Sequence, residues 1–249
     1  MVAIRDISVF NGWETIRCEL LNTRICDMGL RIEGSPLAPC VDRLVHEFRA
    51  KGLRFKPRFY LSDGWGCPDR VPVIGIPFYL AGKRLARIEE EQTGAVEDEH
   101  ATMMLLRHEA GHAVNYAYRL WERPGWVEHF GPFTLPYRER FPVRPRSRDF
   151  VCHILTSQDG RNYAQKHPDE DFAETFAVWL TPRSGWRRRY RAWPVMRKLK
   201  YLDDLMERIR HERPARIGGR LENPVERLDM LLAEHYGRRV EQFRAAAQG

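Results

Sequence analysis

The sequence predicts an α+β fold with a small sheet and a long helix in its N-terminal half and a mostly helical C-terminal half. Three observations carry this. Two candidate strands, 53–61 and 71–78, are bounded by turn residues. The run 100–120 is free of proline and apolar at helical spacing. After residue 166, apolar residues again recur every three or four positions. The 249 residues, 43% hydrophobic and 30% charged, are ordinary for a globular protein and sufficient for one large core or two lobes. The expected division is an N-terminal lobe, 1–125, with the edge strand and long helix, and a helical lobe, 126–249, the two forming one functional unit.

In chain order, 36–51 reads as a helix with Val41, Leu44, Val45 and Phe48 on one face. Residues 53–61 follow as a strand, and Asp63, Gly64, Gly66 and Pro68 mark a turn. The apolar segment 71–78 contains Pro72 and Pro77, which cannot donate to a ladder, so it is expected at a sheet edge. In the helix 100–120, Met103, Leu106, Ala110, Ala113, Ala117 and Leu120 form one apolar stripe. Residues 121–166 contain Pro124, Gly125, Pro132, Pro136, Pro142 and Pro145 at irregular spacing among aromatics, and are expected to wall a cleft. The segment 167–180 reads as a short helix. Pro168 suits its first turn, Asp169, Glu170 and Asp171 suit its positive N-terminal end, and Pro182 stops it. Two further helices are expected, 194–212 and 224–247, separated by Gly218-Gly219. Leu221, Val225, Leu228, Leu231, Leu232 and Tyr236 form a stripe expected to pack on the protein itself.

The chemistry lies in His108-Glu109-Ala110-Gly111-His112. Histidines four apart lie on one helix face, here opposite the apolar stripe, so both imidazoles reach one metal ion. The glutamate between them can act as general base on a metal-activated water. Gly111 costs about 1 kcal/mol relative to alanine in mid-helix. Either something approaches the backbone closely there, or the glycine is merely tolerated. A catalytic zinc needs a third protein ligand. Asn115 and Tyr118 stand where a third downstream histidine motif would need glycine and histidine, so the ligand must come from elsewhere. Glu170 and Glu174 share a face of the 167–180 helix, with Ala173, Phe176, Ala177 and Leu180 on the packed side. Both are candidates, and whichever does not ligate, together with Asp171, can orient a ligand histidine. Asp169 reads as a solvated helix start, whereas Glu174, set in Phe-Ala-Glu-Thr-Phe-Ala, needs a buried partner.

Leu106 to His112, together with His167-Pro168-x-Glu170-Asp171-Phe172-Ala173-Glu174-Thr175-Phe176-Ala177, resembles bacterial zinc-dependent metallopeptidases. The second motif is also similar to the Phe-Ala-Glu segment of lethal factor-like gluzincins. The resemblance implies a zincin-like fold, Zn²⁺ as cofactor, and His108, His112 and Glu174 as ligands, with Glu170 the alternative to Glu174. It implies peptide-bond hydrolysis, with Glu109 taking the proton of the attacking water and passing it to the leaving amine. The family's oxyanion tyrosine falls here at His167, so His167, Tyr163 or Tyr116 is expected to fill that role. In zincins an edge strand beside the active helix pairs with extended substrate, which implies a peptide shelf at 71–78.

No stretch reaches 18 apolar residues and no signal-peptide core is visible near the start, so no membrane association and a cytoplasmic location are expected. Cys18, Cys26, Cys40, Cys67 and Cys152 are scattered and odd in number, against a disulfide framework or zinc ribbon. Cys67 reads as a turn residue rather than a thiolate capping the metal. The net charge is +7, with a pI of 9.3. The excess gathers at Arg138, Arg140, Arg144, Arg146 and Arg148, and over 183–201, where Trp186, Tyr190 and Trp193 interleave with arginines. The favoured reading is a solvated surface with aromatics beneath arginine stems. An acidic protein partner or substrate comes next, and nucleic acid last. The expected partner is therefore a protein or peptide substrate. Two other functions compete: a zinc-containing regulatory protein binding a partner or nucleic acid through 183–201, and a metal-dependent amidase acting on a small substrate.

Overall fold

The computed structural model describes residues 4–138, 141–154 and 163–248. Its helices are α1 (Ile4–Leu21), α2 (Ala38–Ala50), α3 (Lys83–Thr93), α4 (Glu99–Tyr118), α5 (Trp126–Phe130), α6 (Pro168–Leu180), α7 (Trp186–Arg189), α8 (Met196–Ile209) and α9 (Leu232–Gln248). Two parallel strands, β1 (Arg58–Ser62) and β2 (Val73–Pro77), complete a mixed, helix-rich α+β architecture. One apolar cluster runs through it, from Ile25 to Tyr236.

The long expected helix is α4. Asp98 caps it, its carboxylate accepting from the Ala101 amide at 2.7 Å, and Arg119 ends it in the left-handed region. The whole predicted stripe, Met103 to Leu120, is buried. Helix α6 is buried along its entire length, so it is a core element rather than an amphipathic surface helix. The two helices touch where Gly111 faces Ala173. A Cβ at Gly111 would lie 2.6 Å from the Ala173 Cα and 3.0 Å from its carbonyl oxygen. The close-approach reading of Gly111 therefore holds. Two buried ion pairs anchor the helices from outside. Arg107 of α4 donates to Glu47 of α2 at 2.8 and 2.6 Å, and Lys198 of α8 donates to Asp171 of α6 at 2.5 Å.

Some boundaries differ from expectation. The strand expected at 53–61 begins later and ends one residue further on, at Arg58–Ser62. β2 pairs with β1 in the register Arg58–Val73 to Ser62–Pro77, but every residue of β2 is buried. Its outer side is already engaged at Gly75, which exchanges two backbone bonds with Gly66 (3.3 and 2.7 Å). The turn at 65–67 thus occupies the edge expected to serve as a peptide shelf. The helix expected at 224–247 begins at Leu232. Before it, the Leu228 and Met230 carbonyls accept from the Cys26 and Ile25 amides, so this backbone is committed to a bridge and not to helical bonds. Helices α1 and α3 were not anticipated; in α3 only Leu85 and Ile88 give apolar spacing between charged residues. Residues 139–140, Arg140 among them, and 155–162 of the expected cleft wall lie outside the described residues. Among the described residues, no helix is long and apolar enough to cross a membrane.

Gly111→Ala should destabilise the protein by about 1–3 kcal/mol, because the added methyl meets backbone. In an exposed helix the same change would stabilise by up to about 1 kcal/mol. Denaturant unfolding reads the sign; a stabilised variant would contradict the contact.

Candidate metal centre

His108 and His112 project from α4 toward the first turn of α6. Their Nε2 atoms are 3.2 Å apart. The Oε2 of Glu170 lies 3.0 Å from the first and 3.3 Å from the second. These three buried side chains form a group able to hold a metal ion. Glu174, the ligand the resemblance favoured, is placed one turn further on. Its Oε1 lies 2.8 Å from Nδ1 of His108, and its Oε2 accepts from the Ile154 amide at 2.9 Å. Glu174 therefore bonds the far side of a ligand imidazole, and the converging carboxylate is Glu170. With Nδ1 donating to Glu174, the Nε2 lone pair of His108 is directed at the centre.

His112 also has a carboxylate beside its Nδ1, at ion-pair distance, from an acid expected in solvent. Asp169 is buried, and its Oδ2 lies 3.0 Å from Nδ1 of His112. Asn115 and Tyr116, also on α4, donate to it at 2.7 and 2.5 Å. Each histidine thus has its own orienting carboxylate. Asp171, also expected to orient a histidine, turns away to Lys198.

Sequence reasoning missed Tyr137. Its hydroxyl donates to Oε1 of Glu170 at 2.5 Å, leaving Oε2 for the centre. Tyr163 reaches the same Oε1 at 3.5 Å, and its ring lies 5.5 Å from that of His108. Nothing in the pattern around Tyr137 marks it, since it sits in irregular chain. His167 has both ring nitrogens occupied. Nδ1 accepts from the Asp169 amide at 3.1 Å as the cap of α6, and Nε2 donates to the Leu135 carbonyl at 2.9 Å. Both nitrogens are thus engaged with backbone although the ring lines the cleft, and Pro168 at the first helical position was the signal for the cap. Tyr116 is likewise committed to Asp169.

Burial opposes charge on His108, yet its bonds to Glu170 and Glu174 prevail and raise it from 6.5 to about 10. Burial works against His112 too, but Asp169 and Glu170 hold it well above the ordinary range. Burial would raise Glu170, and the two imidazoles instead lower it well below the usual carboxylate range. Glu109 behaves differently: burial dominates, and its carboxyl is raised despite both histidines. Its Oε2 is buried without a partner. Four acids, Glu109, Asp169, Glu170 and Glu174, surround two imidazoles, and among the described residues no lysine or arginine bonds to any of them. Such a group needs a cation or retained protons.

The centre opens into a cleft of about 710 Å³. One wall is the turn carrying Trp65, Cys67 and Asp69; the other carries Phe133, Leu135 and Tyr137. Trp65 is fixed by Glu97, which accepts from its indole at 2.9 Å. The Cys67 thiol lines the cleft and donates to the Glu109 carbonyl at 3.4 Å, tying the turn to α4. His153, beside Cys152, donates to the Met104 carbonyl at 3.0 Å. In the basic segment, Trp186 and Tyr190 are buried beneath the guanidinium groups of Arg187 and Arg189, at 4.2 and 5.1 Å, and so present no open face for a base to stack on. Comparison with known proteins finds no matching family model, no matching curated protein and no matching solved structure.

Glu170→Ala should abolish metal retention. Glu174→Ala and Asp169→Ala should each weaken it by about 10–100-fold, as expected for outer partners of ligand histidines. Elemental analysis and chelator competition on the three variants separate the two classes. For the chelator-treated chain, His108 has a raised folded pKa. Its stabilisation is full below about 6.5 and is lost as pH rises through about 10. Thermal unfolding of that chain across this window should show the loss, and metal-loaded chain should not.

Proposed function

We propose that the chain is a zinc-dependent metallopeptidase of zincin-like fold in the gluzincin arrangement, with His108, His112 and Glu170 as ligands. The observation that carries this is the triangle of Nε2, Nε2 and Oε2 atoms with edges of 3.2, 3.0 and 3.3 Å, opening into a cleft beside Glu109. Tetrahedral zinc with bonds of about 2.0–2.1 Å has ligand–ligand edges of about 3.3–3.4 Å, so the donor set fits. Two histidines and one carboxylate also match the usual catalytic zinc set, which keeps a position open.

Zinc, when bound, supplies a Lewis acid that polarises the substrate carbonyl and lowers the pKa of water. Glu109 takes the proton of the attacking water on its carboxylate and returns it to the leaving amine. Its raised pKa brings it toward the range in which both transfers proceed. Tyr163 and Tyr137 offer hydroxyls on the Glu170 side of the centre, and Tyr163 takes the oxyanion role first assigned also to His167. The cleft accommodates a peptide, and its mouth carries charges of both signs, Asp69 and Glu222 with Arg70.

Glu109→Gln should retain one zinc per chain and lose peptide hydrolysis by at least about 10²-fold. Mixed-peptide cleavage with parallel metal analysis tests this. Full activity in that variant would exclude the mechanism, and no zinc in the wild type would exclude the reading itself.

A further inference from the structure

A second cavity, of about 370 Å³, adjoins the metal cleft. Leu135 and His167, joined by their 2.9 Å hydrogen bond, line both spaces. Its other walls are largely apolar: Phe130, Phe141, Phe150 and Pro142. The one acid that lines it, Asp171, is already neutralised by the 2.5 Å pair with Lys198, and the Lys198 ammonium lies 4.1 Å over the Phe150 ring. The cavity therefore offers aromatic surface with no uncompensated negative charge, and exposed Arg138 adds a cation to its lining.

We propose that this cavity is the subsite that takes a large aromatic side chain of the substrate next to the scissile bond. The assignment rests on the hydrolytic reading only for what reaches the cavity, not for its chemistry. Three features select the occupant. Its volume is of the order that encloses one bulky side chain. Phe130, Phe141 and Phe150 provide edges and faces against which a ring packs. Arg138 and Lys166, which line it, repel a basic side chain and favour the face of an aromatic one. A lysine or arginine of the substrate would enter without a carboxylate to receive it, since Asp171 is engaged.

The test is binding, read without turnover. N-acetylphenylalaninamide and N-acetyllysinamide are titrated by NMR into the full-length, zinc-loaded chain, its Phe141→Ala variant and a milder Phe150→Leu variant. Phe141 and Phe150 are only half-buried, and neither touches the metal ligands. The expected result is binding of the phenylalanine amide at least about tenfold tighter than the lysine amide, with most of the difference lost in Phe141→Ala and part of it in Phe150→Leu. Equal binding of the two amides, or a preference that neither variant alters, overturns the proposal. Intact aromatic preference with no cleavage of any peptide would remove the peptidase reading and leave the subsite standing. Cleavage with no enrichment of phenylalanine, tyrosine or tryptophan beside the cut would remove the subsite and leave the peptidase.

Discussion

The contact of Gly111 with Ala173 sets the position of everything at the metal centre. Helix backbones ordinarily pack 8–10 Å apart, a spacing set by the side chains between them. Here one helix contributes no side chain at the crossing and the other only a methyl, and the Cβ position on Gly111 is filled by the neighbour's backbone. That approach brings the first turn of α6 under the two histidines of α4. Glu170, one turn N-terminal to Glu174 on the same face, arrives between the Nε2 atoms, and Asp169 and Glu174 arrive behind the rings. The flanking positions on α4, Ala110 and Ala113, are also small and fully buried, so nothing larger holds the helices apart.

Charge distinguishes this part of the core from the rest. Other buried acids have fixed counter-charges: Glu47 has Arg107, Asp171 has Lys198, and Glu89 has Arg239 and the Tyr236 hydroxyl. Those pairs are structural ties between helices, and removing one partner of such a pair typically costs about 3–5 kcal/mol. The acids of the metal centre have imidazoles, amides and phenols instead. No lysine or arginine is bonded to them among the described residues, so the cluster is balanced either by protons kept on the imidazoles and on Glu109 or by a cation. An ion held at this depth would be coupled to folding, because its donors converge only in the folded chain.

The helix of the two histidines was legible in the sequence because its pattern is local: a capped, proline-free run with a stripe on one face and histidines on the other. The helix of the acids was legible for the same reason. Which acid converges on the two histidines was not. Glu170 and Glu174 are indistinguishable by helical face, and the choice between them depends on axial offset, which the Gly111–Ala173 contact decides and no spacing encodes. Asp169 was misjudged because a first-turn acid is ordinarily wet; here the chain around Leu135, tied to His167, covers it. Tyr137 comes from that same irregular segment, where no periodicity places a side chain. The prolines of 71–78 did indicate restricted pairing, but the outer side of the strand was closed by a turn whose glycine partner is nine residues earlier.

The C-terminal segment is bonded to the start of the chain. The amides of Ile25 and Cys26 find their acceptors only at Met230 and Leu228, the Thr23 carbonyl accepts from the Leu232 amide, and Tyr236 and Arg239 close over Glu89. During synthesis, both histidines and all four acids of the centre leave the ribosome well before these partners exist. A nascent chain can bring α4 and α6 together, yet the layer beneath β1 and α3 stays open until residue 239 has emerged. Completion of the tertiary structure is thereby deferred until residues 228–239 have been made, and a stop before them leaves a chain with the histidines and acids of the centre present and its base unsealed.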